Sequence, residues 1–127
     1  MIQVRKLAYL ALEPKGVALL DDVCVLISQI SNSVTRVKEI ANQTGLLVGI
    51  FGHAGDGNMD PTIVYDYGYK DAEQRAQEVF NAIIGAAQEL GGTASGEHGI
   101  GSIKIGAARS EGGARVIELE RATITSI

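Results

Sequence analysis

The sequence predicts an α+β fold, a ferredoxin-like plait in which two helices cover one face of an antiparallel sheet and a further helix follows at the C-terminus. Three observations lead there. Strand-like and helix-like segments succeed one another in the order strand, helix, strand, strand, helix, strand. Both helix-like segments carry apolar residues at three- and four-residue spacing, the signature of a helix with one buried side. At 127 residues and 46% hydrophobic content, the chain suffices for one compact domain, 1–127, and is short for two.

Pro14 to Gly16 separates an opening segment from the body. Val17 to Ile27 reads as the first strand, with Val23, Val25 and Ile27 on one face and Cys24 and Leu26 on the other. Apolar side chains on both faces place it centrally in a sheet. A helix follows from Ser33, because Val34, Val37, Ile40 and Ala41 form a stripe with Arg36, Lys38 and Glu39 between them. Ser33 is the expected N-cap and Gly45 the stop. Leu46 to Phe51 has no polar side chain and is too short for a helix, so it reads as a buried strand.

Thr62 to Tyr65 is β-branched and aromatic, a third strand ended by the turn-like DYGYKD. Asp71 with Gln74 resembles a capping box, opening a helix whose stripe is Ala72, Ala76, Val79, Phe80, Ile83, Ala87 and Leu90. Gly91 and Gly92 end that helix, Thr93 to Ser95 is a brief fourth strand, and Ala114 to Ala122 suggests the last helix.

Composition excludes several classes of function. Eleven Lys and Arg against fifteen Asp and Glu, interspersed along the chain, leave no basic face for nucleic acid. The single Cys24 has no intrachain disulfide partner, which fits a reducing compartment. The short apolar stretch near the start is interrupted by Glu13, Pro14 and Lys15, so neither a signal peptide nor a membrane span is expected, and the cytoplasm is the expected location.

The chemistry gathers in two glycine-rich stretches, FGHAGDGNMDP (Phe51 to Pro61) and GTASGEHGIG (Gly92 to Gly101), which hold both histidines of the chain. If the flanking strands pair as a hairpin, His53 and Asp60 lie across its mouth, roughly 5 Å apart when directly opposite. An imidazole and a carboxylate so placed can share a divalent metal; the alternative is a tight turn whose polar groups satisfy their own backbone. Gly52, Gly55 and Gly57 permit positive φ and close approach of a ligand.

In the second stretch Glu97 and His98 are adjacent, so in extended backbone one can ligate while the other moves protons, or both are surface turn residues. Lys104 adds a nearby cation, otherwise a solvated surface charge. Neither stretch has the spacing of a phosphate-binding loop, and Ser95 lacks the context of a hydrolase nucleophile. In a simple plait the start of the fourth strand lies beside the hairpin mouth, so Glu97 reaches His53 and Asp60 only where that strand is very short or the loops fold inward.

GHAGDGNMDP and GGTASGEHGIGSIK resemble the paired signatures G-H-x-G-D-G-N-x-H and S-G-E-H-G-x-G-x-x-K of the C-terminal, substrate-side domain of FAD-linked oxidases. That group includes the glycolate oxidase flavin subunit, D-lactate dehydrogenase and D-2-hydroxyglutarate dehydrogenase. The likeness runs from about Val17 to Arg121. It implies oxidation of a D-2-hydroxy acid, with FAD taking hydride from the α-carbon. It also implies a divalent ion such as zinc on His53, Asp60 and Glu97, His98 as general base, Asn58 near the flavin and Lys104 near the substrate.

Asp60 stands where the family has a second histidine, and Leu26 where relatives carry proline. The resemblance also implies a preceding FAD-binding domain and a following tail that this sequence lacks. The expectation is therefore a C-terminal component acting on glycolate- or D-lactate-type substrates, inactive without an FAD-binding domain or subunit. The rival is a non-catalytic ferredoxin-like module, metal-binding or oligomeric. Apolar surface without its usual cover predicts self-association, a homodimer.

Overall fold

The computed structural model describes residues 16–66 and 68–125. The opening segment, Tyr67 of the DYGYKD turn and the last two residues lie outside the described residues. In chain order the elements are β1 (Val17–Leu20), β2 (Val23–Cys24), a 3-10 turn (Ile27–Gln29), α1 (Ile30–Thr44), β3 (Leu47–His53), β4 (Asn58–Tyr65), α2 (Ala72–Glu89) and α3 (Ile105–Thr125).

The sheet is antiparallel and built around β4. On one side β4 pairs with β3; on the other it pairs first with β1 and then with β2. Cys24 forms a further antiparallel bridge to Thr93. Counting β1 and β2 as one interrupted strand, the spatial order is fourth, first, third, second, which is the plait order. Val48, Ile50, Met59, Ile63 and Tyr65 meet Val37 of α1 and Ala76, Val79, Phe80 and Ile83 of α2 in a single core.

The expected first strand is interrupted at Asp21 and Asp22. Its register runs on across the gap, Leu20 facing Thr62 and Val23 facing Met59, so the two aspartates stand opposite Pro61 and Asp60. Pro61 has no N–H to give a ladder, which accounts for a break there. Strand alternation then puts Asp22, Asn58, Asp60 and His53 on the face turned away from α1 and α2. These four polar residues therefore share one face of the sheet.

Other boundaries moved for local reasons. Because α1 starts at Ile30, Ser33 is a buried helical residue and not the cap. Asp71 does occupy the N-cap of α2, but without a side-chain bond, and Gln74 donates to Glu78 instead of closing a capping box. Gly45 ends α1 as expected. The fourth strand shrinks to the Thr93 bridge, and the last helix begins at Ile105 and breaks at Gly113.

Candidate active site

The first loop is the four-residue connection between β3 and β4. Both strands run further than the sequence suggested, to His53 and from Asn58, so His53 faces Asn58 while Asp60 faces Phe51. The expected His53–Asp60 juxtaposition is thereby corrected: the two are diagonal neighbours, a spacing of about 7–8 Å in an antiparallel pair. Asp56 N–H donates to the His53 carbonyl at 2.9 Å, and Val25 N–H donates to the Gly57 carbonyl at 2.9 Å. Gly57 has φ 72°, and a Cβ there would strike the Val25 carbonyl oxygen, so glycine is required twice over.

The second loop is shaped from below by Asp22, which is completely buried. Its Oδ2 accepts from the N–H groups of Gly96 (2.8 Å), Glu97 and His98 (2.9 Å). Its Oδ1 accepts from Ser95 Oγ at 3.2 Å and from Lys104 Nζ at 2.7 Å. Lys104 Nζ also donates to the Asp22 carbonyl at 2.6 Å and lies 2.7 Å from Asp21 Oδ1. Burial alone would push the Asp22 carboxyl up, but hydrogen bonds from Lys104, His98 and Glu97 together hold it far below the usual carboxylate range. Glu111 of α3 holds the other end, accepting from Ala94 N–H at 3.0 Å and from Gln88 at 3.2 Å.

These contacts bring Glu97 and His98 to the hairpin mouth. Glu97 Oε1 lies 3.8 Å from His53 Nε2 and 3.9 Å from His98 Nε2. His98 Nδ1 lies 3.9 Å from both Asp21 Oδ1 and Asp22 Oδ1. The His98 side chain is 45% exposed. The collapse of the fourth strand to one bridge allows this convergence, since Glu97 no longer has to travel the length of a strand.

Of the expected site residues, His53, Glu97 and His98 come together. Asn58 joins them from β4: its amide nitrogen donates to Asp60 Oδ1 at 3.2 Å, and its buried Oδ1 has no hydrogen-bond partner. That oxygen lies against Gly96, where no side chain would fit. Lys104, expected as a cation for substrate, is instead buried, and its ammonium is taken up by Asp21 and Asp22. Sequence reasoning missed both aspartates. A pair of acids inside an otherwise apolar strand was the available signal, because a buried carboxylate requires a cation or several N–H donors.

A divalent ion on His53, Asp60 and Glu97 does not fit this arrangement. Among the described residues the one group of three potential ligands within 4.8 Å of each other is Asp21, Asp22 and His98. The Lys104 ammonium already fills the cation position there. Asp60 is turned to Asn58. The loop also has no vacancy for a phosphate, since its three converging N–H groups are filled by Asp22. Among the described residues no helix is long and apolar enough to cross a membrane.

The chain is 42% identical over 90 residues to "Glycolate oxidase subunit GlcD" of Bacillus subtilis, covering 71% of this chain and 19% of that protein. It is 33% identical over 105 residues to "D-lactate dehydrogenase" of Archaeoglobus fulgidus, 83% of this chain and 23% of the relative. It is 34% identical over 120 residues to "Probable D-lactate dehydrogenase, mitochondrial" of Danio rerio, 94% of this chain and 24% of the relative. The chain thus spans about a fifth to a quarter of the length of these proteins. Residues 1–123 match the family described as "FAD linked oxidases, C-terminal domain". With two histidine-bearing loops meeting on the outer face of a plait and a family match over nearly its whole length, the chain belongs to the C-terminal domain family of FAD-linked oxidases.

Proposed function

We propose that this chain is the substrate-side part of an FAD-dependent oxidoreductase of small 2-hydroxy acids, of the glycolate or D-lactate type, working with an FAD-binding domain or subunit. The observation that carries the reading is the meeting of His53, Glu97 and His98 at the hairpin mouth. Oxidising a hydroxyl-bearing carbon removes a hydride and a proton, and the flavin, when bound, supplies the hydride acceptor. This chain's task is the proton. His98, with Nδ1 3.9 Å from Asp21 and Asp22 and Nε2 3.9 Å from Glu97, is the group that takes the hydroxyl proton.

The unpartnered Asn58 Oδ1 supports a place for the flavin or substrate between the loops, because a buried acceptor is costly until a donor reaches it. FAD itself is held mainly by the FAD-binding domain or subunit. With Lys104 engaged inside the loop, the cation for the substrate carboxylate comes from the partner as well. Exposed Leu26 and Ile27 beside Cys24 border a groove of about 640 Å³, an apolar surface suited to an FAD-binding partner or to a second copy in a homodimer.

The test is complementation. The purified chain is mixed with a candidate FAD-binding subunit, and glycolate and D-lactate oxidation is followed with an artificial electron acceptor. Activity only in the mixture, lowered about 10²- to 10⁴-fold by His98→Ala, is the expected result. No turnover in any combination would favour the non-catalytic module. A monomer by light scattering at micromolar concentration removes the homodimer.

A further inference from the structure

We infer that Asp22 is the positioning residue of the second glycine-rich loop: its carboxylate, neutralised by buried Lys104, is the template on which Ser95 to Gly99 folds, and it thereby sets where Glu97 and His98 stand. The inference rests on the proposed role of His98 for its functional meaning. Its structural content stands on the hydrogen bonds alone.

Three consecutive backbone N–H groups, those of Gly96, Glu97 and His98, converge on one oxygen of Asp22. Such an arrangement of amides is an anion-binding concavity. Here the anion is a side chain of the same polymer, 74 to 76 residues earlier. Ser95 Oγ completes the cradle by donating to Asp22 while accepting from Gly99 N–H at 2.8 Å. Glu111 reaches only as far as Ala94, so the residues beyond it depend on Asp22.

The side chains of the loop do not supply an equivalent anchor. The nearest acidic oxygens to the His98 ring stand 3.9 Å away, beyond hydrogen-bond length, so the imidazole is placed through its backbone. Asp22 in turn needs Lys104, because a carboxylate without exposure is tolerable only when paired and fully hydrogen-bonded. Gly96 lets the loop come this close, since a Cβ there would collide with Asn58 Oδ1 and approach Asp22 Oδ2. An acid on an interrupted strand, a lysine before α3 and a glycine between them form one device.

The test uses the labelled full chain and needs neither flavin nor turnover. In the wild type, long-range NMR couplings across hydrogen bonds should connect the amides of Gly96, Glu97 and His98 to the carboxylate carbon of Asp22; their absence overturns the proposal. The second arm is the double variant Asp22→Asn, Lys104→Met, which removes both buried charges together and so preserves the fold better than either single change. With far-UV dichroism and cooperative unfolding retained, the amides of Gly96 to His98 should exchange at least about tenfold faster and shift, while Ala94 keeps its protection. Unchanged shifts and protection at Gly96 to His98 overturn the proposal. Intact couplings with no activity in any complementation would instead count against the catalytic reading and leave the anchor standing.

Discussion

The two glycine-rich loops carry one histidine each, yet they keep their shapes by different means. The His53 loop is a hairpin turn: His53 faces Asn58 across the ladder, Asp56 bonds back to His53, and the loop carbonyls of Asp56 and Gly57 accept from Cys24 Sγ and Val25 N–H of the adjoining segment. The Glu97–His98 loop has little internal bonding beyond Gly99 to Ser95 Oγ, and its amides reach instead to Asp22 and Glu111. One loop is folded by neighbours in sequence, the other by carboxylates brought from elsewhere. The first should persist in almost any context that keeps the hairpin; the second should fail when its remote anchors are removed.

The sharpest way to break the contrast is at Asp22. Asp22→Asn leaves the buried Lys104 ammonium with Asp21 as its remaining counter-charge and removes the charged acceptor of the loop amides, and the expected loss is about 3 kcal/mol, the low end for breaking a buried pair, read as a lower denaturant midpoint at unchanged slope. Adding Lys104→Met should recover part of that loss, a coupling that a double-mutant cycle measures. Purely additive effects would mean that the two side chains do not act as a pair.

Next come the glycines. Gly96→Ala drives a methyl group into Asn58 Oδ1 and should cost roughly 1–3 kcal/mol. Gly55→Ala, in the hairpin loop with open space around it, should stay within about 0.5 kcal/mol. Equal effects at both positions would erase the distinction between a crowded loop and an open turn.

A smaller effect is a dependence on acidity. Asp22 is held below its ordinary carboxyl pKa by folding, and Glu111 is lowered too, burial there being outweighed by bonds from Thr93, Ala94 and Gln88. A depressed folded-state pKa means stability that is complete above the unfolded value and lost as the pH falls below it, so denaturant stability should decline progressively below about pH 5. The Asp22→Asn, Lys104→Met double variant should lose most of that slope. An unchanged slope would place the acid sensitivity elsewhere.

The smallest expected difference concerns metal. Zinc titrated calorimetrically into the tag-free wild type and into His53→Ala should give indistinguishable affinities, because Asp60 is diagonal to His53 and bonded to Asn58. A clear loss in His53→Ala would show that the loops rearrange to close around an ion.

Much of the fold was legible because its causes are local. Val34, Val37 and Ile40 announce α1, the stripe through Phe80 and Ile83 announces α2, and the apolar run ending at Phe51 announces β3. Boundaries slipped where a side chain had two uses. Ser33 reads as a cap but is buried inside α1, and the strand read from Thr62 begins at Asn58, so that Pro61 lies within β4, opposite the gap in the neighbouring strand.

At the site, His53, Glu97 and His98 stood out because glycines flanked them, whereas Asp21 and Asp22, two acids in an otherwise apolar strand, signalled burial without naming a partner, and Lys104 looked like any surface cation. By itself, then, the sequence determined the order of elements, the helical faces and the two loops that hold every histidine, since spacing and backbone permissiveness are properties of adjacent residues. Only the tertiary structure decided that Asn58 and not Asp60 faces His53, that the fourth strand shrinks to one bridge, and that Lys104 points inward to Asp22. Those outcomes depend on which distant groups share a low-dielectric space, and an acid or an amine carries no mark along the chain of the partner it will find there.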